Sequence, residues 1–159
     1  MKKKIISLAL LIFLATGCFK KGNEDIINSL NKKIDGIETY YIKGELEIIN
    51  NEDSYLYNVE VAYQKEDKFK VDLVNKTNNH EQIILKNSEG VYLLTPSLNK
   101  SFKFQSDWPY NNSQIYLLQT LLKDIKNDEE KLVEPVDGGY KITTSVNYSN
   151  NHNLVKQHI

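Results

Sequence analysis

Hydrophobic and polar residues alternate through the middle of the chain, and this period of two restricts the fold more than any other feature of the sequence. The alternating segments are short, and polar turns such as residues 50–53 and 88–90 separate them. This pattern predicts an antiparallel sheet of six strands in hairpin order, with one buried face and one face in solvent. The predicted strands span residues 42–48, 55–63, 69–73, 83–85, 91–95 and 102–104.

Two other segments repeat their apolar residues at the helical intervals of three and four. Residues 23–38 predict an amphipathic helix with one apolar face. Residues 111–127 predict a second helix that is apolar most of the way round, so it either packs inside a curved sheet or forms part of a binding surface. Beyond a turn at residues 137–139, residues 140–148 predict a strand and residues 153–159 the first half of another. The predicted capping residues are Asn23 or Asp25 for the first helix and Asn112 or Ser113 for the second.

The N-terminus has the pattern of an export signal. Lys2, Lys3 and Lys4 precede the apolar residues 5–14, a run too short for a membrane span of about 20 residues but typical of a signal peptide. The following Leu-Ala-Thr-Gly-Cys, which ends at Cys18, resembles a bacterial lipobox, where a diacylglycerol is attached to the cysteine sulfur and the signal is cut before it. Cys18 is the single cysteine, and the alternative is a secreted protein with an unpaired thiol.

These features divide the chain into three predicted parts. Residues 1–17 form a lipoprotein signal peptide, residues 18–24 a lipidated cysteine with its tether, and residues 25–159 one domain. Two acyl chains attach a protein durably to a bilayer, whereas one chain attaches it only marginally. The predicted location is therefore the extracytoplasmic face of the cell membrane, with Cys18 as the anchor.

Composition and motifs argue against several classes of function. The chain is 40% hydrophobic and 26% charged, as globular domains are, and its net charge of −1 shows none of the basic excess that nucleic-acid binding needs. The histidines His80, His152 and His158 are too isolated for a metal site, and the sequence has no nucleophile elbow and no phosphate-binding loop. We therefore expect a protein that is not an enzyme, with no cofactor, no metal and no nucleic-acid partner.

Aromatic residues cluster between the last strand of the meander and the second helix. Trp108, Tyr110 and Tyr116 are the candidates for contact with a partner, because Trp and Tyr side chains combine apolar area with a polar group. The alternative is structural. In that case residues 102–110 close a corner of the fold and fix the second helix over the sheet.

Residues 82–100 also resemble a family of lipid carriers, and this resemblance implies a different hypothesis, in which a lipid lies in an apolar hollow of the sheet. The candidate lining residues are Tyr57, Phe69 and Leu118. An acyl chain needs a cavity that stays empty in the free protein. If these three residues and Val59 filled the hollow against each other, lipid carriage would lose its physical basis.

Residues 82–100 resemble the signature of LolA-type domains. That signature consists of a strand, a glycine turn, an aromatic strand that ends in a proline, and then a turn and another strand. In this chain the glycine turn contains Gly90 and the proline is Pro96. Residues 102–125, with Phe-Gln-Ser-Asp-Trp-Pro before a Leu-rich helix, are similar to a branch found as lipoproteins in spore-forming bacteria. Spore germination lipoproteins of the GerS type belong to that branch. The resemblance implies an α+β fold, in which helices cover the hollow of a strongly curved antiparallel sheet, an incomplete barrel.

The resemblance also implies two kinds of partner. In the carriers the hollow holds acyl chains, whereas in the spore branch the domain acts through a protein, notably a cortex-modifying cell-wall amidase. A tether at Cys18 argues against long-range ferrying. LolA-like domains continue beyond the point that matches Ile159, so this domain is predicted to be incomplete there, with an open sheet edge for a partner strand or a second copy.

Three functions are consistent with these features. The first is a membrane-anchored, non-catalytic LolA-like lipoprotein of sporulation or spore germination that binds or regulates a cell-wall enzyme. The second is lipid or lipoprotein binding in the concave hollow. The third is an envelope sensor lipoprotein, which the sequence does not separate from the first.

Overall fold

The computed structural model describes residues 22–105, 115–146 and 155–159. The chain divides between Lys32 and Lys33 into two units. The described elements are helix α1 (Asn23–Asp35), strands β1 (Thr39–Asn50), β2 (Asp53–Gln64), β3 (Lys68–Asn75), β4 (Glu81–Asn87) and β5 (Gly90–Thr95), a short 3-10 helix (Pro96–Leu98), β6 (Lys100–Lys103), helix α2 (Leu118–Asn127), and strands β7 (Leu132–Val136), β8 (Gly139–Ser145) and β9 (Lys156–His158). The predicted α+β class is confirmed.

Several predicted features lie outside the described residues and stay predictions. They are the signal peptide over residues 1–17, Cys18, Trp108, Tyr110, the helix caps Asn112 and Ser113, and His152.

Strands β1 to β6 form one antiparallel sheet in which each strand pairs with its neighbour in sequence. β1 and β2 pair along their full length, from Thr39 opposite Gln64 to Asn50 opposite Asp53. Asn51, with a φ of 56°, makes the tight turn between them, since Asn tolerates the left-handed conformation. The predicted six-stranded meander is therefore confirmed. Within the described part of the chain, β1 and β6 are the two edges, so this sheet is not a closed barrel.

One face of the six-stranded sheet carries the main hydrophobic core. Val61 and Val71 lie opposite each other in the β2–β3 register, and both have 0% of their surface exposed. Burial of apolar side chains such as these is the dominant favourable term in folding. The core cluster consists of Val59, Val61, Phe69, Val71, Ile84, Val91, Tyr116 and Leu117.

The prediction of one face wholly in solvent is wrong for β4 and β5. Ile83 lies opposite Leu94 and Leu85 opposite Tyr92, on the face turned away from Ile84, and these four residues are partly buried. The reason is that β4 and β5 carry consecutive apolar residues instead of alternating ones, so both of their faces are apolar.

Helix α1 begins at the predicted residue, Asn23, but ends at Asp35 rather than at residue 38. Gly36 follows immediately, and glycine commonly ends a helix because it leaves the helical conformation at little cost. The amide of Ile37 donates to the carbonyl of Ile34 over 3.1 Å, which closes the chain just beyond the last turn. The buried residues of α1 are Ile26 and Ile27.

Helix α2 is shorter than the predicted helix over residues 111–127. It begins at Leu118, and Leu117 before it is extended, with φ −84° and ψ 132°. Its N-cap residue, Leu117, provides no side-chain cap. Instead the hydroxyl of Tyr40, in β1, accepts the amide hydrogen of Leu118 over 3.3 Å. A contact between residues so far apart in sequence is invisible to a local pattern, which explains the error.

Strands β7, β8 and β9 form a second antiparallel sheet. The turn predicted at residues 137–139 is confirmed, and Gly138 there has a φ of 76°. The predicted C-terminal strand is also confirmed as β9, and Ile159 exchanges two backbone hydrogen bonds of 2.7 and 2.8 Å with Ile142. β7 was not predicted, because Glu134 and Pro135 interrupt its apolar pattern.

Candidate functional surface

Two of the predicted contact residues lie in the core. Phe69 is 3% exposed and Tyr116 is 8% exposed, and both belong to the core cluster of the six-stranded sheet. The Tyr116 hydroxyl has no hydrogen-bond partner among the described residues, and burial raises its pKa well above the ordinary value. Tyr116 lies in the turn that leads into α2, so its ring connects that turn to the sheet.

Most of the residues predicted to line the hollow pack in or against the hydrophobic core. Val59 and Phe69 belong to the buried cluster, and Tyr57 packs against that cluster while remaining partly exposed. Leu118 is partly buried at the start of α2. Three of the four residues that we expected to line or fill the hollow therefore pack in one core.

Tyr40 is a structural residue that sequence reasoning missed. Besides receiving the Leu118 amide, its hydroxyl donates to Oε1 of Gln119 over 2.9 Å, and its ring stacks on Tyr63 with 4.9 Å between centroids. Burial, opposed in part by the Leu118 hydrogen bond, raises the pKa of Tyr40 to about 12. Its position two residues before Ile42 on the same strand face was a signal for burial, but nothing local indicated the helix contact.

A polar cluster lies on the outer face of β1 and β2. Lys43 Nζ is 2.6 Å from Glu60 Oε1, the Tyr41 hydroxyl donates to the other carboxylate oxygen of Glu60, and Lys43 Nζ lies 5.5 Å from the centroid of the Tyr41 ring. The hydrogen bond from Lys43, followed by that from Tyr41, lowers the pKa of Glu60, and Glu60 in turn raises the pKa of Lys43. Both charges are exposed, so solvent weakens their attraction.

The same strand carries a second ion pair and exposed apolar groups. Lys76 Nζ lies 2.5 Å from Glu45 Oε1, and the exposed side chains of Tyr41 and Ile49 flank the charges. We call the row Tyr41, Lys43, Glu45, Glu47 and Ile49 the β1 surface. It lies on an edge strand that offers backbone groups to another strand, and its charges of both signs can be matched by a complementary protein surface.

A small cleft lies between the end of α1 and helix α2. Its volume is about 200 Å³, and it is lined by Ile34, Asp35, Gln119, Leu122, Lys123, Lys126 and Asn127. Drug-sized ligands occupy pockets of roughly 300 Å³ or more, so this cleft suits at most a small polar group.

The described residues contain no group of three or more His, Cys, Asp or Glu side chains placed to hold a metal ion. Within the same described ranges, no helix has the length and hydropathy that crossing a bilayer requires.

Comparison with known proteins finds similarity to a sporulation protein. No protein-family model matches it. It is 38% identical over 150 residues, or 94% of its length, to the sporulation protein YdcC of Bacillus subtilis (strain 168), and it spans 44% of that protein. Among solved structures it is similar to a chain in the complex of the CwlD amidase from Clostridioides difficile with the GerS lipoprotein, with a TM-score of 0.39 and 17% identity, covering 90% of this chain and 80% of that one. This chain thus resembles the sporulation protein along nearly the whole of its own length, but the match covers less than half of the sporulation protein.

Proposed function

We propose that this chain is a lipid-anchored, non-catalytic binding domain that acts in sporulation or spore germination. The observation that carries the proposal is the 38% identity to a sporulation protein over 94% of the chain. An alignment of that extent includes most of both sheets, so it concerns more than a short motif.

The proposed anchor is a diacylglycerol on Cys18, and the proposed location is the extracytoplasmic face of the membrane. Both rest on the lipobox-like residues 14–18 and the apolar run before them. Growth with radiolabelled palmitate should label the full chain. A Cys18→Ala variant should stay unlabelled and appear in the soluble fraction, and labelling of that variant would contradict the anchor.

Packing supports protein binding over acyl-chain carriage. Val59, Phe69 and Tyr57 pack with Tyr116 and Leu117 where a carrier would need an empty hollow. Displacing such side chains to admit a lipid would require reopening a core that contains fully buried valines. The β1 surface, in contrast, is exposed and chemically mixed.

The proposed partner is a cell-wall enzyme of the amidase type, which is what the resemblance to spore germination lipoproteins implies. We assign no catalysis to this chain because its sequence offers no nucleophile elbow and no phosphate-binding loop. The LolA-like fold remains part of this proposal, supported by the six-stranded meander and the helix α2 that follows it.

The test combines genetics with binding. Deleting the gene in the bacterium that encodes it should reduce the number of heat-resistant spores or of spores that germinate, and the wild-type gene should restore it. Unchanged spore formation and germination in the deletion strain would overturn the role in sporulation.

Binding is measured with the full chain in detergent and a purified cell-wall amidase from the same bacterium. Co-elution in size-exclusion chromatography and a change in peptidoglycan hydrolysis are the expected results. A fluorescent fatty acid, added in a parallel titration, should remain unbound. Saturable fatty-acid binding without amidase binding would favour the carrier function instead.

A further inference from the structure

Strand β1 is a long and regular edge strand. It runs for 12 residues, its pairing with β2 is unbroken, and it contains no proline. Among the described residues it pairs on the β2 side only. A long, unbulged edge offers a row of backbone donors and acceptors to another strand.

The register shows which backbone groups of β1 face the free edge. The carbonyl of Glu38 accepts the amide of Lys65 over 2.6 Å, so Glu38 directs its backbone toward β2. In antiparallel pairs this direction alternates from residue to residue. Residues 40, 42, 44, 46 and 48 therefore face β2, and Tyr41, Lys43, Glu45 and Glu47 present their N–H and C=O groups outward.

We propose that β1 pairs antiparallel with β1 of a second copy of this chain, around a two-fold axis at Gly44. In that register Lys43 lies opposite Glu45 of the second copy, and Glu45 opposite Lys43 of the second copy. On the core-facing side, Ile42 lies opposite Leu46 of the second copy. Outward-facing residues meet outward-facing residues, as hydrogen bonding requires.

Charge favours this register over the two registers whose two-fold axis lies one residue away. Moving the axis to Lys43 places two lysines directly opposite each other, and moving it to Glu45 places two glutamates opposite each other. Like charges at directly opposite positions destabilise a strand pair. With the axis at Gly44, the pairs Lys43–Glu60 and Lys76–Glu45 extend into one row of alternating charge across the interface.

Gly44 supplies a second and independent observation. It lies inside the strand, where glycine weakens a sheet, and apart from its two chain neighbours no described residue has an atom within 4 Å of where its Cβ would be. The fold itself therefore does not require glycine here. On the proposed axis, Gly44 forms a non-hydrogen-bonded pair with its own copy, the closest approach in an antiparallel ladder, at about 4.5 Å between Cα atoms.

The opposite edge strand of the sheet, β6, is poorly suited to pairing with its own copy. β6 has four residues, and Lys100 and Lys103 carry charges of one sign. Self-pairing of β6 would bring lysines together, which is a common protection of edge strands. The proposed dimer therefore uses β1 and not β6.

Disulfide trapping tests the geometry. In a full-length Cys18→Ser background, Gly44→Cys should form an intermolecular disulfide on mild oxidation, because Cα atoms about 4.5 Å apart lie within the range that disulfides span. Ile48→Cys is the matched control, on the same strand and the same face. In the proposed register, position 48 of one chain and position 48 of the other would be eight residues apart along the strands, or about 27 Å, so this variant should not cross-link. Equal cross-linking at both positions, or none at either, would overturn the register.

Charge exchange tests the interface without a cysteine. The full chains Lys43→Glu and Glu45→Lys should each dimerise roughly tenfold or more weakly than wild type, because each places like charges opposite one another. Mixed in equal amounts, they should form a heterodimer with near wild-type affinity, measured by sedimentation velocity in detergent. Circular dichroism verifies that each variant is folded. A wild-type chain that is monomeric at all accessible concentrations, or a mixture that stays monomeric, would contradict the proposal, and neither result bears on sporulation or amidase binding.

Discussion

The two sheets of this protein are held in place by different forces. The six-stranded sheet buries an apolar cluster centred on Val61 and Val71, with no charged residue in it. The three-stranded sheet buries Val133 and Ile142 but also the hydroxyl of Thr144, which is 1% exposed. The large sheet therefore depends on burial, whereas the small sheet depends also on a polar connection to helix α2.

That connection is made by Asp128, the C-cap residue just after α2. Its Oδ2 accepts the Ser145 amide over 2.6 Å and the Thr144 hydroxyl over 3.0 Å, and its Oδ1 accepts the Glu130 amide over 2.9 Å. One carboxylate thus joins the helix terminus to β8. Because apolar burial is insensitive to pH and a carboxylate is not, the two sheets should respond differently to mutation and to acid.

The largest effect is expected in the large sheet. Phe69→Ala should destabilise the protein by about 3–5 kcal/mol, because it removes a large side chain from a packed core. Phe102→Ala is the matched control, since Phe102 is 57% exposed and should change stability by less than about 0.5 kcal/mol. Urea unfolding measures both. Similar effects at the two positions would show that Phe69 is not in a packed core.

An intermediate effect is expected in the small sheet. Thr144→Val removes the hydroxyl that donates to Asp128, and should cost about 1–2 kcal/mol as a buried hydrogen bond is lost. Thr143→Val is the control, because Thr143 is only partly buried and its hydroxyl forms its hydrogen bond with His158 on the edge strand β9. Hydrogen exchange should show lost protection in β8 and unchanged protection in β2 and β3. Loss spread equally over both sheets would contradict the division between them.

Lowering the pH should also affect the two sheets differently. The Ser145 amide, followed by the Glu130 amide and the Thr144 hydroxyl, lowers the pKa of Asp128 below its unfolded value. Its contribution is therefore present above the unfolded pKa, about 3.9, and is lost as pH falls through the lower folded pKa. Amides of β8 should lose protection in that range before those of β2.

Asp128→Asn should remove this pH dependence. Glu60→Gln is the control, because Lys43 lowers the pKa of Glu60 too, but on the exposed face of the large sheet. If Glu60→Gln, and not Asp128→Asn, abolished the acid response of β8, the role of Asp128 would be wrong.

The difference between the two sheets also explains which elements could be predicted from the sequence. Alternation identified β1, β2 and β3, which are long enough to show a period of two, and the polar turns between short apolar runs located β4 to β6. Hairpin turns then leave little choice of strand order. It missed β7, whose Pro135 and Glu134 break the pattern and whose pairing with β8 supplies the stabilisation. The start of α2 escaped because Tyr40 binds it from β1.

Candidate binding residues were harder to predict than strands. An aromatic side chain suits a core and an interface equally well, so composition did not distinguish Phe69 and Tyr116, which are buried, from Tyr41, which is exposed. The β1 surface became visible only when the register placed Lys43 beside Glu60 and left one side of β1 without a described partner strand.

The smallest effect concerns the turns of the two sheets. In the large sheet, Glu66 and Asp67 in the β2–β3 turn have φ values of 71° and 61°, whereas the turn of the small sheet uses Gly138 at a φ of 76°. A left-handed conformation is unfavourable for residues with a Cβ and free for glycine. Glu66→Gly should therefore stabilise the protein by about 0.5–1 kcal/mol, and Gly138→Ala should destabilise it by about 1 kcal/mol. Asp67 is not the residue to replace, because its carboxylate pairs with the partly buried Lys86. Urea unfolding of both variants checks the signs, and destabilisation by Glu66→Gly would mean that the contact of Glu66 with Lys68 outweighs the backbone strain.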